Sequence, residues 1–66
     1  MRVSVNGEPR ELAPGMTLQE LLQQLGVASP RVAVAVNTTV VPRHELASQI
    51  LAEGDSVDII EAVGGG

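Results

Sequence analysis

Cysteine, lysine and every aromatic residue are missing from these 66 residues, and histidine occurs only once. Each gap closes a route. Without cysteine there is neither a disulfide staple nor a thiolate metal site, so folding must rest on an aliphatic core. Without aromatic rings there is no platform for stacking bases. Four arginines against eight acidic residues, a net charge of −4, offer no face for neutralising phosphates. Nucleic acid is therefore not expected as a partner. No apolar run approaches the ~20 residues needed to span a bilayer, and Met1-Arg2 leads straight into a strand-like segment rather than a signal peptide. No membrane partner is expected, and the cytoplasm is the compartment expected.

The catalytic inventory is equally thin. His44 sits in the polar stretch Pro42-Arg43-His44-Glu45, where a lone histidine reads as a solvated surface residue. No second histidine or cysteine could complete a nucleophile–base pair or a metal cluster. Ser4, Ser29, Ser48 and Ser56 are scattered without a nucleophile-elbow context. Glu53, Asp55, Asp58 and Glu61 cluster in sequence, but they read as solvation of a turn and of the outward face of a strand. The chain is not expected to be an enzyme by itself.

What the chain does have is a bare end. Gly64-Gly65-Gly66 follows a hydrophobic run that reads as a strand. Glycine carries no Cβ, so such a tail can thread a channel that any side chain would block. Fully extended, three residues reach roughly 10 Å. That suits a terminal carboxylate delivered into another protein's active site. An acidic domain of this size would be steered toward a partner with a basic docking face.

The scaffold follows from periodicity. Val3 and Val5 alternate with Arg2, Ser4 and Asn6, the period of a half-buried strand. Asn6-Gly7 suits a tight hairpin turn, and Glu8 to Leu12 is the expected return strand, with Pro9 arguing for an edge position. Thr17-Leu18-Gln19-Glu20 is a capping box. Leu18, Leu21, Leu22 and Leu25 form one apolar helix face, and Gly26 supplies the stop. Val32 to Val36 reads as a strand, Asn37-Thr38-Thr39 as a turn, and Val40-Val41 as a strand that Pro42 ends. Glu45 to Leu51 is expected to form a helical turn placing Leu46 and Ile50 against the core. Gly54-Asp55 turns the chain into a last strand over Ser56 to Val63.

Five short strands and one amphipathic helix must share one core, and a mixed sheet with the helix across one face achieves that. This α+β arrangement resembles the ubiquitin-like β-grasp fold, in which the first and last strands lie side by side and parallel at the sheet centre. Residues 1–63 would form the β-grasp domain and 64–66 a flexible glycine tail leaving its rigid middle.

Several motifs in this order and spacing make the chain similar to the sulfur carriers of thiamin biosynthesis, the ThiS family, over essentially its whole length. They are Val3-Ser4-Val5-Asn6-Gly7, Thr17-Leu18-Gln19-Glu20-Leu21-Leu22, Val34-Ala35-Val36-Asn37, Val40-Val41-Pro42-Arg43, Glu53-Gly54-Asp55 and the terminal glycines. The family needs a final Gly-Gly pair, here Gly65-Gly66, and Gly64 merely lengthens the arm. The related small subunit of molybdopterin synthase is usually longer and commonly carries aromatics near its tail, which this chain lacks.

The resemblance implies a mechanism. Gly66 would be adenylated by an ATP-dependent adenylyltransferase resembling ubiquitin-activating enzymes, then converted to a thiocarboxylate. A persulfide protein or its equivalent would donate the sulfur, and thiazole synthase would receive it. Gly64 and Gly65 would let Gly66 enter both active sites. ATP and magnesium would belong to the partner, and the chain itself would bind no cofactor or metal. Rival functions are a carrier serving molybdopterin, tRNA thiolation or cysteine synthesis, and a ubiquitin-like modifier or interaction module.

Strand parity suggests a docking face. Val57, Ile59 and Val63 share one parity. If they face the helix, Ile60 and Ala62 lie with Asp58 on the open face, beside Ala33 and Ala35 of the neighbouring strand. A small apolar patch rimmed by Asp58 and arginines would dock the activating enzyme there. Scattered exposed apolar residues are also the ordinary condition of protein surfaces, and a bulge near Ile60 would reverse the parity.

Overall fold

Buried valines at alternate positions define the first strand. A computed structural model describes residues 1–27 and 31–61 of the chain. In β1 (Arg2–Val5), Val3 and Val5 are buried while Arg2 is exposed. The chain reverses at Asn6 (φ 51°) and Gly7 (φ 84°). Two consecutive positive φ angles give a turn whose twist matches that of the flanking strands. β2 (Glu8–Glu11) then pairs antiparallel with β1, Val5 opposite Glu8 and Ser4 opposite Pro9. It ends one residue short of Leu12, which is buried and donates its N–H to the Met1 carbonyl at 2.7 Å. As Pro9 predicts, β2 is an edge strand.

Helix α1 (Leu18–Gln24) carries both halves of its capping box. The Glu20 N–H donates to Thr17 Oγ1 at 3.2 Å, and the Thr17 N–H donates to Glu20 Oε1 at 2.9 Å. Leu18 and Leu21 are fully buried, Leu22 is buried, and Leu25 is half-buried. Gly26 takes φ 75° just past the helix end. The Gly26 and Val27 N–H groups donate back to the Gln23 and Leu22 carbonyls. That pair of bonds closes a Schellman motif, which the left-handed glycine makes possible.

In the second half, β3 (Val32–Val36) and β4 (Thr39–Val41) form another hairpin. Its turn is tighter than the sequence suggests. Only Asn37 (φ 51°) and Thr38 (φ 70°) occupy it, and Thr39 already belongs to β4, opposite Val36. Pro42 ends the strand, and a single 3-10 turn follows at Arg43–Glu45.

The expected packing of the next segment needs correcting. Leu46 packs against the core, but Ile50 is 62% exposed and Leu51 is buried in its place. The helical turn ends earlier than its pattern suggests. Residue 50 instead bridges Thr17 in extended conformation, with Leu18 N–H bonded to Gln49 O and Leu51 N–H to Met16 O. Extended neighbours point to opposite sides, so turning Leu51 inward turns Ile50 out.

β5 (Ser56–Glu61) completes a five-stranded sheet in the order β2-β1-β5-β3-β4. It runs parallel to β1 and antiparallel to β3. The helix covers one face, and Leu18, Leu21, Val3 and Val57 are the most deeply buried side chains. This is the ubiquitin-like β-grasp. Residues 62 and 63, expected in the last strand, lie outside the described residues.

Candidate functional site

A strand at the centre of a sheet is held on both flanks, and the glycine run follows β5 in sequence after Ala62 and Val63. Gly64, Gly65 and Gly66, together with Ala62, lie outside the described residues. The strand that leads to them is held at several points. At its start, Glu53-Gly54-Asp55 is a bonded turn. Asp55 accepts the Ala52 N–H at 2.7 Å and the Asn37 amide at 3.0 Å, while Glu53 accepts the Arg2 N–H at 3.0 Å. These two carboxylates therefore bind main chain and a neighbouring turn, beyond the solvating role expected of them. Hydrogen bonds from N–H groups to an ionised carboxylate are among the stronger kind.

Two asparagines then clasp β5. The Asn37 Oδ1 accepts the Ser56 N–H at 3.0 Å, and the Asn6 Oδ1 accepts the Ile59 N–H at 2.8 Å. Both asparagines sit in hairpin turns at positive φ. Sequence reading assigned them only to turns. A side-chain acceptor one residue past the end of its own strand leaves no periodic mark in the sequence.

Strand parity holds across the described part of β5. Val57 is buried and Ile59 packs against the core, while Ile60 is 64% exposed on the opposite face. No bulge interrupts the β3–β5 register, which sets Ala33 opposite Ile60 and Ala35 opposite Asp58. Ala33 is exposed, and Ala35 and Asp58 are half-buried. Glu61 departs from expectation. It shares the helix-side parity of Val57 and Ile59, so Asp58 is the strand acid that faces outward.

The open face also carries an exposed aliphatic side chain that the strand parity of β5 does not reveal. Val40 lies opposite Ala35 and is 67% exposed. Its signal was present, because a two-residue turn at Asn37-Thr38 forces Val40 onto the face of Ala35 while Val41 enters the core. Of the arginines, Arg2 shares the open face by register and is bonded to Glu11 at 2.9 Å. Arg10, opposite Val3, falls on the helix side instead.

On that side, Val5, Asn6, Glu8, Arg10, Leu25, Val27 and Ile59 line a shallow groove of about 240 Å³. It is smaller than the roughly 300–1,000 Å³ usual for ligand pockets, and it is charged at one edge. His44 is 81% exposed with Glu45 at 3.5 Å, the surface position expected of it. Among the described residues, no cluster of three or more histidines and carboxylates could hold a metal ion. No helix there is long and apolar enough to cross a membrane.

Comparison with known proteins points one way. A family model described as the ThiS family matches residues 3–66. The thiazole synthase of Paramagnetospirillum magneticum is 39% identical over 66 residues, covering all of this chain but 20% of that protein. The chain thus spans about a fifth of the length of the first curated relatives it matches. The sulfur carrier protein ThiS of Escherichia coli is 33% identical, with 100% of both chains covered. The crystal structure of the thiamine biosynthesis protein ThiS from Geobacter metallireducens aligns with a TM-score of 0.86 at 33% identity, covering 100% of both chains.

Proposed function

Because this chain belongs to the ThiS family, we propose that it carries sulfur on the carboxylate of Gly66 for thiazole formation in thiamin biosynthesis. The observation that carries this function is the match over residues 3–66, which takes in the scaffold and the glycine run together. The placement of β5 is in keeping with it. A strand clamped at the sheet centre gives the glycines a rigid base from which to reach a partner's active site.

The chemistry follows from what a carboxylate cannot do. It is a poor electrophile, because its charge is delocalised and its leaving group would be oxide. An adenylyltransferase resembling ubiquitin-activating enzymes overcomes this with ATP and magnesium of its own. A Gly66 oxygen attacks the α-phosphorus, pyrophosphate leaves, and an acyl-adenylate forms. Attack of a hydrosulfide on the acyl carbon then expels AMP and leaves the thiocarboxylate. If a protein persulfide is the donor, the first product is an acyl disulfide. A second thiol cleaves its S–S bond, releasing the thiocarboxylate and forming a disulfide between the two thiols.

Thiazole synthase is the proposed acceptor. The two thiazole synthases that match this chain over a fifth of their length support that choice, because a carrier-like segment within the enzyme's own chain places carrier and acceptor together. The chain brings a scaffold, a tail and a docking face, and its partners supply the catalytic groups. The outer sheet face around Ile60, Ala33, Ala35 and Asp58, continuous with Ala62 in sequence parity, is the proposed contact for the adenylyltransferase.

The test is the intact mass after incubation with ATP, a sulfide source and a cognate adenylating enzyme. Replacement of one oxygen by sulfur is expected in the chain and not in a form lacking Gly66. An unchanged mass with an enzyme active on its own carrier would overturn the proposal.

A further inference from the structure

Parallel strands keep each other's main-chain groups satisfied along an evenly spaced ladder, in which one residue donates to and accepts from residues two apart on its neighbour. The β1–β5 ladder follows that rule up to Val5 opposite Val57. At the next position the Asn6 N–H donates to the Val57 carbonyl at 2.8 Å. The Ile59 N–H now requires an acceptor from the same residue. The Asn6 carbonyl is not available to it, because φ of 51° at Asn6 turns the main chain away toward Gly7 and β2. The side chain takes over, and Asn6 Oδ1 accepts the Ile59 N–H at 2.8 Å. One residue thus makes the turn and replaces the ladder rung that the turn removes.

We propose that Asn6 is a positioning residue for sulfur transfer, its side-chain amide holding the β1 flank of β5, the strand that leads to the glycine run. The inference rests on the carrier function above. Asn37 holds the opposite end of β5 in the same manner, through Ser56, but Asn6 acts at the end from which the glycine run departs. Five residues lie between Glu61 and the end of the sequence, a reach of up to roughly 17 Å. β3 holds the other flank of β5 as far as Val32 opposite Glu61, so Asn6 is the residue that holds its β1 flank beyond Val57. The adenylation and transfer steps require the terminal atoms within a fraction of an ångström of a reactive geometry.

Two substitutions separate positioning from folding. Asn6→Gly keeps the positive φ and the hairpin turn while removing the acceptor. Asn6→Asp keeps the turn and the acceptor. Steady-state adenylation by a cognate enzyme, followed as pyrophosphate release well below the unfolding midpoint, is measured beside amide hydrogen exchange of the free chain. In Asn6→Gly, exchange at the Ile59 amide is expected to quicken, and kcat to fall, each by roughly fivefold, with KM for the carrier little changed. Asn6→Asp is expected to restore both.

Wild-type kcat in Asn6→Gly, or equal loss in both variants, would overturn the assignment. A purely structural role would raise exchange in all five strands together and leave kcat alone. Failure of the wild-type chain to be adenylated would count against the carrier function instead. The Ile59 exchange then decides whether Asn6 anchors the strand, and unchanged exchange in Asn6→Gly would overturn that as well.

Discussion

Ala33 stands directly opposite Ile60 in the β3–β5 ladder, on the sheet face that the helix leaves uncovered. The small alanine leaves the Ile60 side chain standing clear at 64% exposure, and Val40 at 67% continues the apolar strip across Ala35. An isolated exposed aliphatic residue on a protein surface means little. Three neighbouring strands each presenting an apolar residue beside the route to the glycine run form a surface worth testing.

Ile60→Asp is expected to lower kcat/KM for adenylation by about tenfold or more, the scale of a central interface anchor. Its circular dichroism and unfolding midpoint should stay close to wild type, because the side chain it replaces is largely in water. Val40→Asp should act in the same direction with a smaller loss. Unchanged adenylation in both variants would remove the docking role from this face.

Gly65→Val places a branched side chain where the proposed path through a partner's channel leaves room for none. The expected result is loss of the sulfur-for-oxygen mass change with no change in thermal unfolding. A thiocarboxylate formed at the wild-type rate would show that the channel does not require glycine at that position.

Leu21→Ala removes a side chain with no solvent exposure from the centre of the helix–sheet contact. The expected cost is about 2–5 kcal/mol, a large share of the stability available to a domain of this size. Denaturant titration followed by far-UV circular dichroism measures it, and a loss below about 1 kcal/mol would mean that the helix is not the lid of this core.

Thr17→Ala removes the hydroxyl that accepts the Glu20 N–H. A loss of about 1 kcal/mol is expected, which lowers the midpoint of a small domain by about 4–8 °C. Thr17→Ser should retain most of the stability. An unchanged midpoint in the alanine variant would show that the bridge between Thr17 and Ile50 suffices to hold the helix start.

Local signals were legible wherever a single stretch of chain decides its own conformation. Asn6-Gly7 announced the first turn, Pro9 the edge strand, Thr17 with Glu20 the helix start, and the leucine spacing the buried face. The parity of β5 was legible too, since Val57 and Ile60 differ by an odd number of positions and so face opposite sides. Ile50 and Leu51 are both aliphatic, and a helical spacing from Leu46 selects Ile50. The bonds that Gln49 and Leu51 make to the start of α1 impose extended geometry there instead.

Periodicity, turn chemistry and motif spacing are local properties of the chain, and they set the element order, the buried side of β1, α1, β3 and β5, and the family. Which distant groups meet depends on the assembled fold. The amide oxygen of Asn6 reaches the Ile59 N–H across 53 positions, and Asn37 joins Asp55 across 18. Val40 joins the open face through a register set by its turn. An N–H donates to any well-placed oxygen, so which side chain serves it depends on where the turns bring the strands together.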